Sequence, residues 1–303
     1  MPETDRPARS PSRPEGRFTR VLVALDSPAS SQATLGIAVS LAAATASELR
    51  GLFVEDQDLL RLAGLPFARE IRLARAMSRA LAPEQLRQDV RAQAALARAA
   101  MEKQALLHRL NWTFQVTQGR SEEAVLLAAA HGDLIVMSRG FGPLASYGRV
   151  GRQVRLIAAR APGPLLLASA GRAARRGAVC LPYDASPAAQ RMLAIAGELA
   201  QARREPLEIM LLGDAAAAAD TLQSIDSIGA RIRAAGAGRA PPELRIWAPR
   251  DRSAILHRLS GLDRGLLVLP ADAPCFDSAQ VERIVELARV PVVLESARAS
   301  QAA

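Results

Sequence analysis

The feature that most constrains this fold is an internal repeat. The stretch 20–32, which contains Val-Leu-Val-Ala-Leu-Asp26-Ser-Pro, is answered by the stretch 178–190, which contains Val-Cys-Leu-Pro-Tyr-Asp184-Ala-Ser-Pro. The two aspartates lie 158 residues apart (184 − 26) in a chain of 303 residues, so each half has the length of one domain. A chain that repeats an apolar strand, an aspartate and a helical pattern is expected to fold as two copies of one unit.

Within each copy, short aliphatic runs alternate with longer helical patterns. Alternation of this kind predicts β-α-β units with right-handed crossovers, and therefore a doubly wound, five-stranded parallel sheet in each of two tandem α/β domains. Strands are expected at 18–25, 49–54, 112–116, 134–138 and 163–168, and in the second copy at 178–183, 207–212, 244–248, 265–269 and 291–294. The expected division is a disordered tail over 1–16, a first domain over 17–169, a linker over 170–177 and a second domain over 178–296.

The least regular part of the first copy lies between its second and third strands. Apolar residues recur there at helical spacing opposite a row of arginines, which predicts an amphipathic basic helix over residues 68–81. Such a helix can lie on an acidic membrane or protein partner, or it can present an ordinary solvated face; we favour the solvated face. A second, longer helix is expected to begin at Pro83.

Composition narrows the classes of partner. The formal charge is +9, but the basic residues are spread along the chain, and aromatic residues make up only 3%. We therefore expect solvated surface charge and no nucleic-acid surface. No apolar run reaches the ~18 residues of a membrane span, so a cytoplasmic location is expected and membrane-surface binding is not favoured. Two cysteines and three isolated histidines give neither a disulfide framework nor a metal site of the chain's own ligands.

A glycine-rich stretch follows the fourth strand of the first copy. Gly140, Gly142, Gly148 and Gly151 allow backbone N–H groups to turn inward, and arginines at 139, 149 and 152 place positive charge nearby. A loop of this composition before a helix N-terminus is typical of a phosphate site. The alternative is an ordinary turn, because the pattern matches neither the Walker loop nor the dinucleotide fingerprint.

The first strand ends Val-Ala-Leu-Asp26, and the fourth ends Ile-Val-Met-Ser-Arg-Gly140 before the glycine loop. Together these motifs resemble the universal stress protein family, and residues 17–296 resemble a tandem member. The resemblance implies an adenine nucleotide α-hydrolase-like fold that binds ATP or another adenine nucleotide, with Mg²⁺ entering only through the nucleotide. It implies that Asp26 contacts the adenine, that Val54 walls the adenine slot, and that the loop holds the ribose and phosphates. The full candidate set is Leu25, Asp26, Ser27, Val54, Met137, Ser138, Arg139, Gly140, Gly142, Gly148, Gly151, Arg152 and Gln153.

The sequence departs from the family pattern, Gly-x2-Gly-x9-Gly-Ser/Thr, at three points. Met137 stands in place of the first glycine, ten residues separate Gly140 from Gly151, and Arg152 replaces the hydroxyl residue. Arginines at 149 and 152 can offset the missing hydroxyl through charge-assisted hydrogen bonds. The corresponding stretch of the second copy, 270–277, has no glycine, two prolines that donate no N–H, and two aspartates that repel phosphate. We therefore expect the second copy to be a structural partner that binds no nucleotide.

The function that this resemblance implies is that of a stress-response protein whose first domain senses or stores an adenine nucleotide. The resemblance implies that the two domains pair through their fifth strands, 165–168 and 292–294; a homodimer and an unidentified stress-response protein are further partners compatible with the sequence. No nucleophile elbow, Cys/His pair or carboxylate cluster accompanies the loop, so no enzyme is expected beyond slow, incidental ATP hydrolysis. The rivals are a scaffold that binds no nucleotide and an ATP-using ligase, which the absence of glycine from 26–31 disfavours.

Overall fold

The computed structural model describes residues 18–26, 28–63, 65, 69–72, 77–80, 83–142, 150–169, 175–212, 242–247, 252–270 and 276–295. The expected disordered tail, most of the expected linker, Ser27, Gly148 and Cys275 lie outside these residues.

The described strands and helices follow the repeat. The strands are β1 (Arg20–Leu25), β2 (Glu48–Asp56), β3 (Arg69–Arg72), β4 (Met77–Ala80), β5 (Trp112–Gly119), β6 (Asp133–Ser138), β7 (Leu165–Ala168), β8 (Val179–Tyr183), β9 (Leu207–Leu211), β10 (Leu244–Trp247), β11 (Leu266–Leu269) and β12 (Val292–Leu294). The helices are α1 (Pro28–Thr45), α2 (Gln57–Ala63), α3 (Pro83–Leu107), α4 (Ser121–Ala128), α5 (Arg152–Arg160), α6 (Pro187–Arg203), α7 (Arg252–Gly261) and α8 (Ser278–Leu287).

Ten of these strands form one sheet in the order β10-β9-β8-β11-β12-β7-β6-β1-β2-β5. Each copy contributes five parallel strands with its first strand in the middle, and the two copies meet where β7 and β12 pair antiparallel. The predicted fold class, a doubly wound parallel sheet in each of two tandem copies, is confirmed. The register joins Val292 to Leu167 and Leu294 to Leu165, and these are the fifth strands through which the resemblance implied pairing.

Helices cover both faces of this sheet and bury two apolar clusters. One cluster joins the sheet to α1, α3 and α6, and the other joins it to α4, α5, α7 and α8. The strands can be apolar along their whole length because both faces are covered. The central strands β6 and β7 show this, since all their residues are buried.

The helix α1 leads away from the candidate site and fixes the end of β1. It carries no charged residue, and it packs against β1, α3 and α6 through buried residues such as Leu35, Ala38 and Leu41. In its last turn, the hydroxyl of Thr45 donates to the carbonyl of Leu41 at 2.8 Å.

No helix in the described part of the chain is both long and apolar enough to cross a bilayer.

The predicted basic helix over 68–81 is wrong. Within that stretch the structure has two short strands, β3 and β4, which pair antiparallel with Glu70 opposite Arg79. A helical pattern this short carries little information, because a lone helix of about a dozen residues is marginal and gains its stability from tertiary packing. The preceding strand also runs further than predicted, since β2 continues to Asp56 and is followed directly by α2.

Candidate functional site

The candidate site lies where the strand order of the first copy reverses. After β1 the chain moves to β2 on one side, and β6 flanks β1 on the other side. In a doubly wound sheet the crevice beyond the carboxyl ends of two such strands is the usual ligand site. Asp26 follows β1, and the glycine loop follows β6, so the fold brings together the two segments that the sequence singled out.

These two segments are in direct contact. The backbone N–H of Gly142 donates to Oδ2 of Asp26 at 2.7 Å. The Asp26 side chain therefore faces the loop rather than the apolar core. It also holds one of the loop amides that the sequence analysis assigned to phosphate.

The first part of the loop is folded tightly around a buried aromatic ring. Phe141 is fully buried, and its N–H donates to the carbonyl of Ser138 at 3.2 Å. At the far end of the loop, the N–H of Gly151 donates to the carbonyl of Arg139 at 3.2 Å. Backbone hydrogen bonds thus join the end of β6 to Phe141 and to the start of α5, and they hold the two ends of the loop together.

Gly142 is the position where this loop requires glycine. Its φ is +107°, a conformation that L side chains rarely adopt. A Cβ at this position would lie 2.9 Å from the side-chain Cδ of Gln153. Gln153, a predicted site residue, therefore packs against the backbone of Gly142.

The N-terminus of α5 has no side-chain cap. Gly151 is its N-cap residue, and within the described residues no side-chain cap hydrogen bond is made there. The equivalent helix of the second copy, α8, begins with Asp277, whose carboxylate accepts from the N–H of Gln280 at 2.7 Å in a complete capping box. Free N–H groups at a helix start attract anions, whereas a carboxylate cap satisfies them from within the chain. The first copy alone combines a glycine loop with an uncapped helix start among the described residues.

Arg139 does not contribute its charge to this loop, contrary to the sequence-based expectation. Its guanidinium points into the interface with the second copy, where Nη1 donates to the carbonyl of Ala288 at 2.5 Å and Nη2 to that of Val290 at 2.6 Å. The physical reason is its position. Arg139 follows β6 directly, and β6 is separated from the second copy only by β7, which pairs with β12. Burial lowers the pKa of Arg139 to about 10.

Most of the other predicted site residues are buried, and Arg152 is exposed. Leu25, Val54 and Met137 are 1%, 4% and 0% exposed, so their side chains belong to the core clusters and leave almost no surface for a base. Ser138 is also buried, and its hydroxyl has no hydrogen-bond partner in the described structure. Arg152 is exposed as the first residue of α5. Gly140 lies in the turn after β6, half-buried.

The second copy uses its equivalent aspartate differently. Asp184 follows β8, and its Oδ1 accepts from the N–H of Ser186 at 3.1 Å, while Ser186 caps α6 through Ala189. Its Oδ2 is buried without a partner in the described structure. Asp184 thus shapes the turn before α6.

Cavities and clusters elsewhere do not coincide with the predicted site. A cleft of about 320 Å³ lies between α1 and the end of α6, and none of the predicted site residues lines it. Its polar wall includes Arg203 and Glu205, which form an ion pair at 2.6 Å. Within the described ranges, no group of three or more His, Cys, Asp or Glu side chains could hold a metal ion.

Sequence reasoning missed two residues that shape the loop. Phe141 was passed over, although a lone aromatic residue between two glycines is a signal for a buried anchor. Ser169, which accepts from Nη2 of Arg139 at 3.3 Å, left no signal, because its contact depends on how the two copies meet.

Comparison with known proteins supports the fold. No protein-family model and no curated protein sequence matches the chain. Among solved structures, a universal stress protein from Archaeoglobus fulgidus superposes with a TM-score of 0.59 at 14% identity, covering 91% of this chain and 98% of that one. A putative universal stress protein from Pseudomonas aeruginosa gives a TM-score of 0.51 at 14% identity, with 92% and 93% coverage. A functionally unknown protein from Pseudomonas aeruginosa PAO1 gives 0.52 at 16%, with 92% of both chains covered. The chain therefore has the fold of universal stress proteins over most of its length.

Proposed function

We propose that this chain, which has the universal stress protein fold, binds an adenine nucleotide in its first copy as a sensor or store, and that its second copy binds none. The observation that carries the proposal is the 2.7 Å contact between Asp26 and the loop amide of Gly142, at the place where the strand order of the first copy reverses. It brings a carboxylate suited to a base within reach of backbone donors suited to phosphate.

The difference between the two copies supports the assignment to the first. The helix after the fourth strand starts at an uncapped Gly151 in one copy and at the carboxylate cap of Asp277 in the other. A phosphate placed at the second helix start would face that carboxylate, which raises its free energy of binding. A phosphate at the first would meet N–H groups and the exposed Arg152.

Binding requires a rearrangement at Asp26. Its carboxylate must leave the amide of Gly142 before that amide can donate to a phosphate. In the proposed complex the carboxylate turns to the adenine, so Asp26 selects the base while the loop selects the phosphates. Arg139 takes no direct part, because its guanidinium is committed to the interface.

The test is calorimetric titration of the full chain with MgATP and, separately, with inorganic triphosphate. We expect one nucleotide per chain and a preference for ATP over triphosphate. Asp26→Ala should remove this preference by weakening ATP relative to triphosphate, and the matched variant Asp184→Ala in the second copy should leave both affinities unchanged. Flat heats with both ligands would contradict the proposal.

The alternative function is an interaction scaffold that binds no nucleotide. One observation favours it: Val54, which the resemblance assigns to the wall of the adenine slot, is only 4% exposed and leaves little surface for a base. A protein purified without added ligand that carries no nucleotide and shows flat heats would establish the scaffold instead.

We further propose that the protein acts in the cytoplasm without catalysing a reaction of its own. The site brings no activated nucleophile or acid–base pair to the loop within the described part of the chain. ATP incubated with the purified protein should therefore remain intact over many binding lifetimes, and rapid release of phosphate would contradict this.

A further inference from the structure

Arg139 belongs to the loop through its backbone and to the second copy through its side chain. Its N–H donates to the carbonyl of Ala168 at 3.4 Å, and its carbonyl accepts from Gly151 at 3.2 Å, which closes the loop. Its guanidinium donates across the interface to the carbonyls of Ala288 and Val290. One residue thus links the candidate phosphate loop to the segment 288–290.

Ser169 extends this link into a small network. Its hydroxyl accepts from Nη2 of Arg139 at 3.3 Å and donates to the carbonyl of Arg289 at 3.2 Å. All three consecutive carbonyls of the segment 288–290 are therefore held by Arg139 or by its neighbour Ser169. This segment leads from the end of α8 into β12, the strand that pairs with β7.

The charge of Arg139 has an unusual environment. Arg139 is 9% exposed, and no carboxylate among the described residues offsets its burial. The guanidinium meets the partial negative charge of carbonyls. That of Ala288 belongs to the C-cap residue of α8, where the helix dipole favours a cation, and that of Val290 lies beyond the helix. The acceptors of Arg139 are two carbonyls and the hydroxyl of Ser169, while its Nε is buried without a partner in the described structure. Such a guanidinium depends on these acceptors staying in place, because losing them leaves an uncompensated charge.

The link is one-sided. The registers pair Leu22 with Ile135 in the first copy and Cys180 with Leu267 in the second, so the two pairs are equivalent. Counting from them, Arg139 corresponds to Ala271, which has no guanidinium. Arg139 clamps the loop of the first copy to the second copy, and an alanine at the equivalent position has no side-chain donor for the reverse contact.

We propose that Arg139 is a positioning residue that couples the state of the loop to the packing between the two copies, so that a ligand on the loop tightens the segment 288–294. For the ligand this rests on the proposed function, whereas the clamp itself does not. Coupling is reciprocal, so a change that loosens the segment 288–294 lowers the affinity for the ligand by the same factor.

The experiment is hydrogen exchange of the backbone amides of 288–294, apart from Pro291, which has no N–H, in the full chain with and without MgATP. In the native protein we expect MgATP to slow exchange there by about tenfold. In Arg139→Ala and Arg139→Lys at saturating MgATP, this slowing should be lost, and the affinity for MgATP should fall by a similar factor. Lysine keeps the charge but cannot reach two carbonyls with a planar fork.

The matched control is Arg155→Ala. Arg155 also joins the loop to the second copy, through a hydrogen bond to the carbonyl of Val150 at 3.3 Å and an ion pair with Glu282 at 3.1 Å. Its side chain is 57% exposed, and its partner lies in α8 rather than in the segment 288–290. It should leave the slowing by MgATP intact. Equal losses in the Arg155 and Arg139 variants would overturn the proposal, because any interface contact would then suffice.

A hydrogen-exchange measurement without nucleotide tests the coupling separately from the proposed nucleotide binding. Asp26→Ala frees the amide of Gly142 and should speed exchange of 288–294 in the native background, but add nothing in the Arg139→Lys background. Additive effects would refute the coupling whether or not ATP binds. Binding of MgATP without any change at 288–294 would refute the coupling alone.

Discussion

The carboxylate of Asp26 and the backbone amide of Gly142 are joined by a hydrogen bond of 2.7 Å, across the gap between the ends of β1 and β6. The contact places an internal anion against the loop that the proposed function assigns to phosphate. The same aspartate is therefore both a candidate base contact and a competitor for the loop.

The competition predicts that Asp26→Asn binds inorganic triphosphate more tightly than the native protein. Removing the negative charge abolishes its repulsion of the incoming anion and weakens the contact with Gly142. We expect a gain of about tenfold, the equivalent of about 1.4 kcal/mol, measured by calorimetry at low ionic strength. Asp184→Asn is the matched control, and an equal gain in both variants would show that only the net charge matters.

Gly142→Ala should destabilise the protein. The substitution forces a side chain into φ +107° and against Gln153, at a cost of about 1–3 kcal/mol in the free energy of unfolding. The control is Gly36→Ala in α1, where no atom lies within 4 Å of the new Cβ and a gain of about 0.5–1 kcal/mol is expected. Chemical denaturation measures both, and a Gly142 variant as stable as the Gly36 variant would contradict the described loop.

Arg20→Ala should be strongly destabilising. Arg20 binds Asp133 through two hydrogen bonds of 2.9 and 2.6 Å, and the Asp133 side chain is only 2% exposed. The hydrogen bond to Asp133 raises the pKa of Arg20, so the charged pair is stabilised by folding. Removing the arginine leaves a buried charge and should cost about 3–5 kcal/mol in denaturant unfolding.

The control for that variant is Arg61→Ala. Arg61 pairs with Asp58 at 3.4 Å, but the two side chains are 73% and 51% exposed. An exposed pair of this kind contributes about 0–1 kcal/mol. Similar losses in both variants would mean that the pair at Asp133 is open to solvent.

Cys180 should be an unreactive thiol with a pH signature. Burial, and to a lesser extent the negative charge of Glu208, raises the pKa of Cys180 from 9.0 to about 12. In a Cys275→Ser background, an alkylating reagent should modify Cys180 only after unfolding. Rapid modification of the folded protein would contradict its burial.

The same shift predicts how stability depends on pH. Above about pH 9 the unfolded thiol ionises while the folded thiol stays protonated, so the folded state binds more protons and stability falls as pH rises toward 12. Cys180→Ala should remove up to about 1.4 kcal/mol per pH unit of that decline. Unfolding free energies of both proteins across this range measure the difference.

The architecture could be predicted from sequence patterns alone. The repeat of Asp26 at Asp184 and the alternation of aliphatic runs with helical patterns were enough for two copies of a doubly wound sheet, because such a sheet buries both faces and leaves an unambiguous apolar signature. That the glycine loop lies beside Asp26 could be predicted in the same way, since the carboxyl ends of neighbouring parallel strands share one edge. The prediction of a helix over 68–81 was wrong because helical spacing over about a dozen residues does not specify a helix without tertiary packing.

The tertiary structure decided where the side chains of the site point. No pattern in the sequence tells whether Arg139 faces the loop or the second copy, because the alternatives differ only in which distant carbonyls come within reach. The bond from Gly142 to Asp26 and the burial of Val54 likewise arise from contacts more than fifty residues apart in the chain. Periodicity records which residues a chain buries locally, whereas the direction of a polar side chain depends on partners that only the folded sheet brings together.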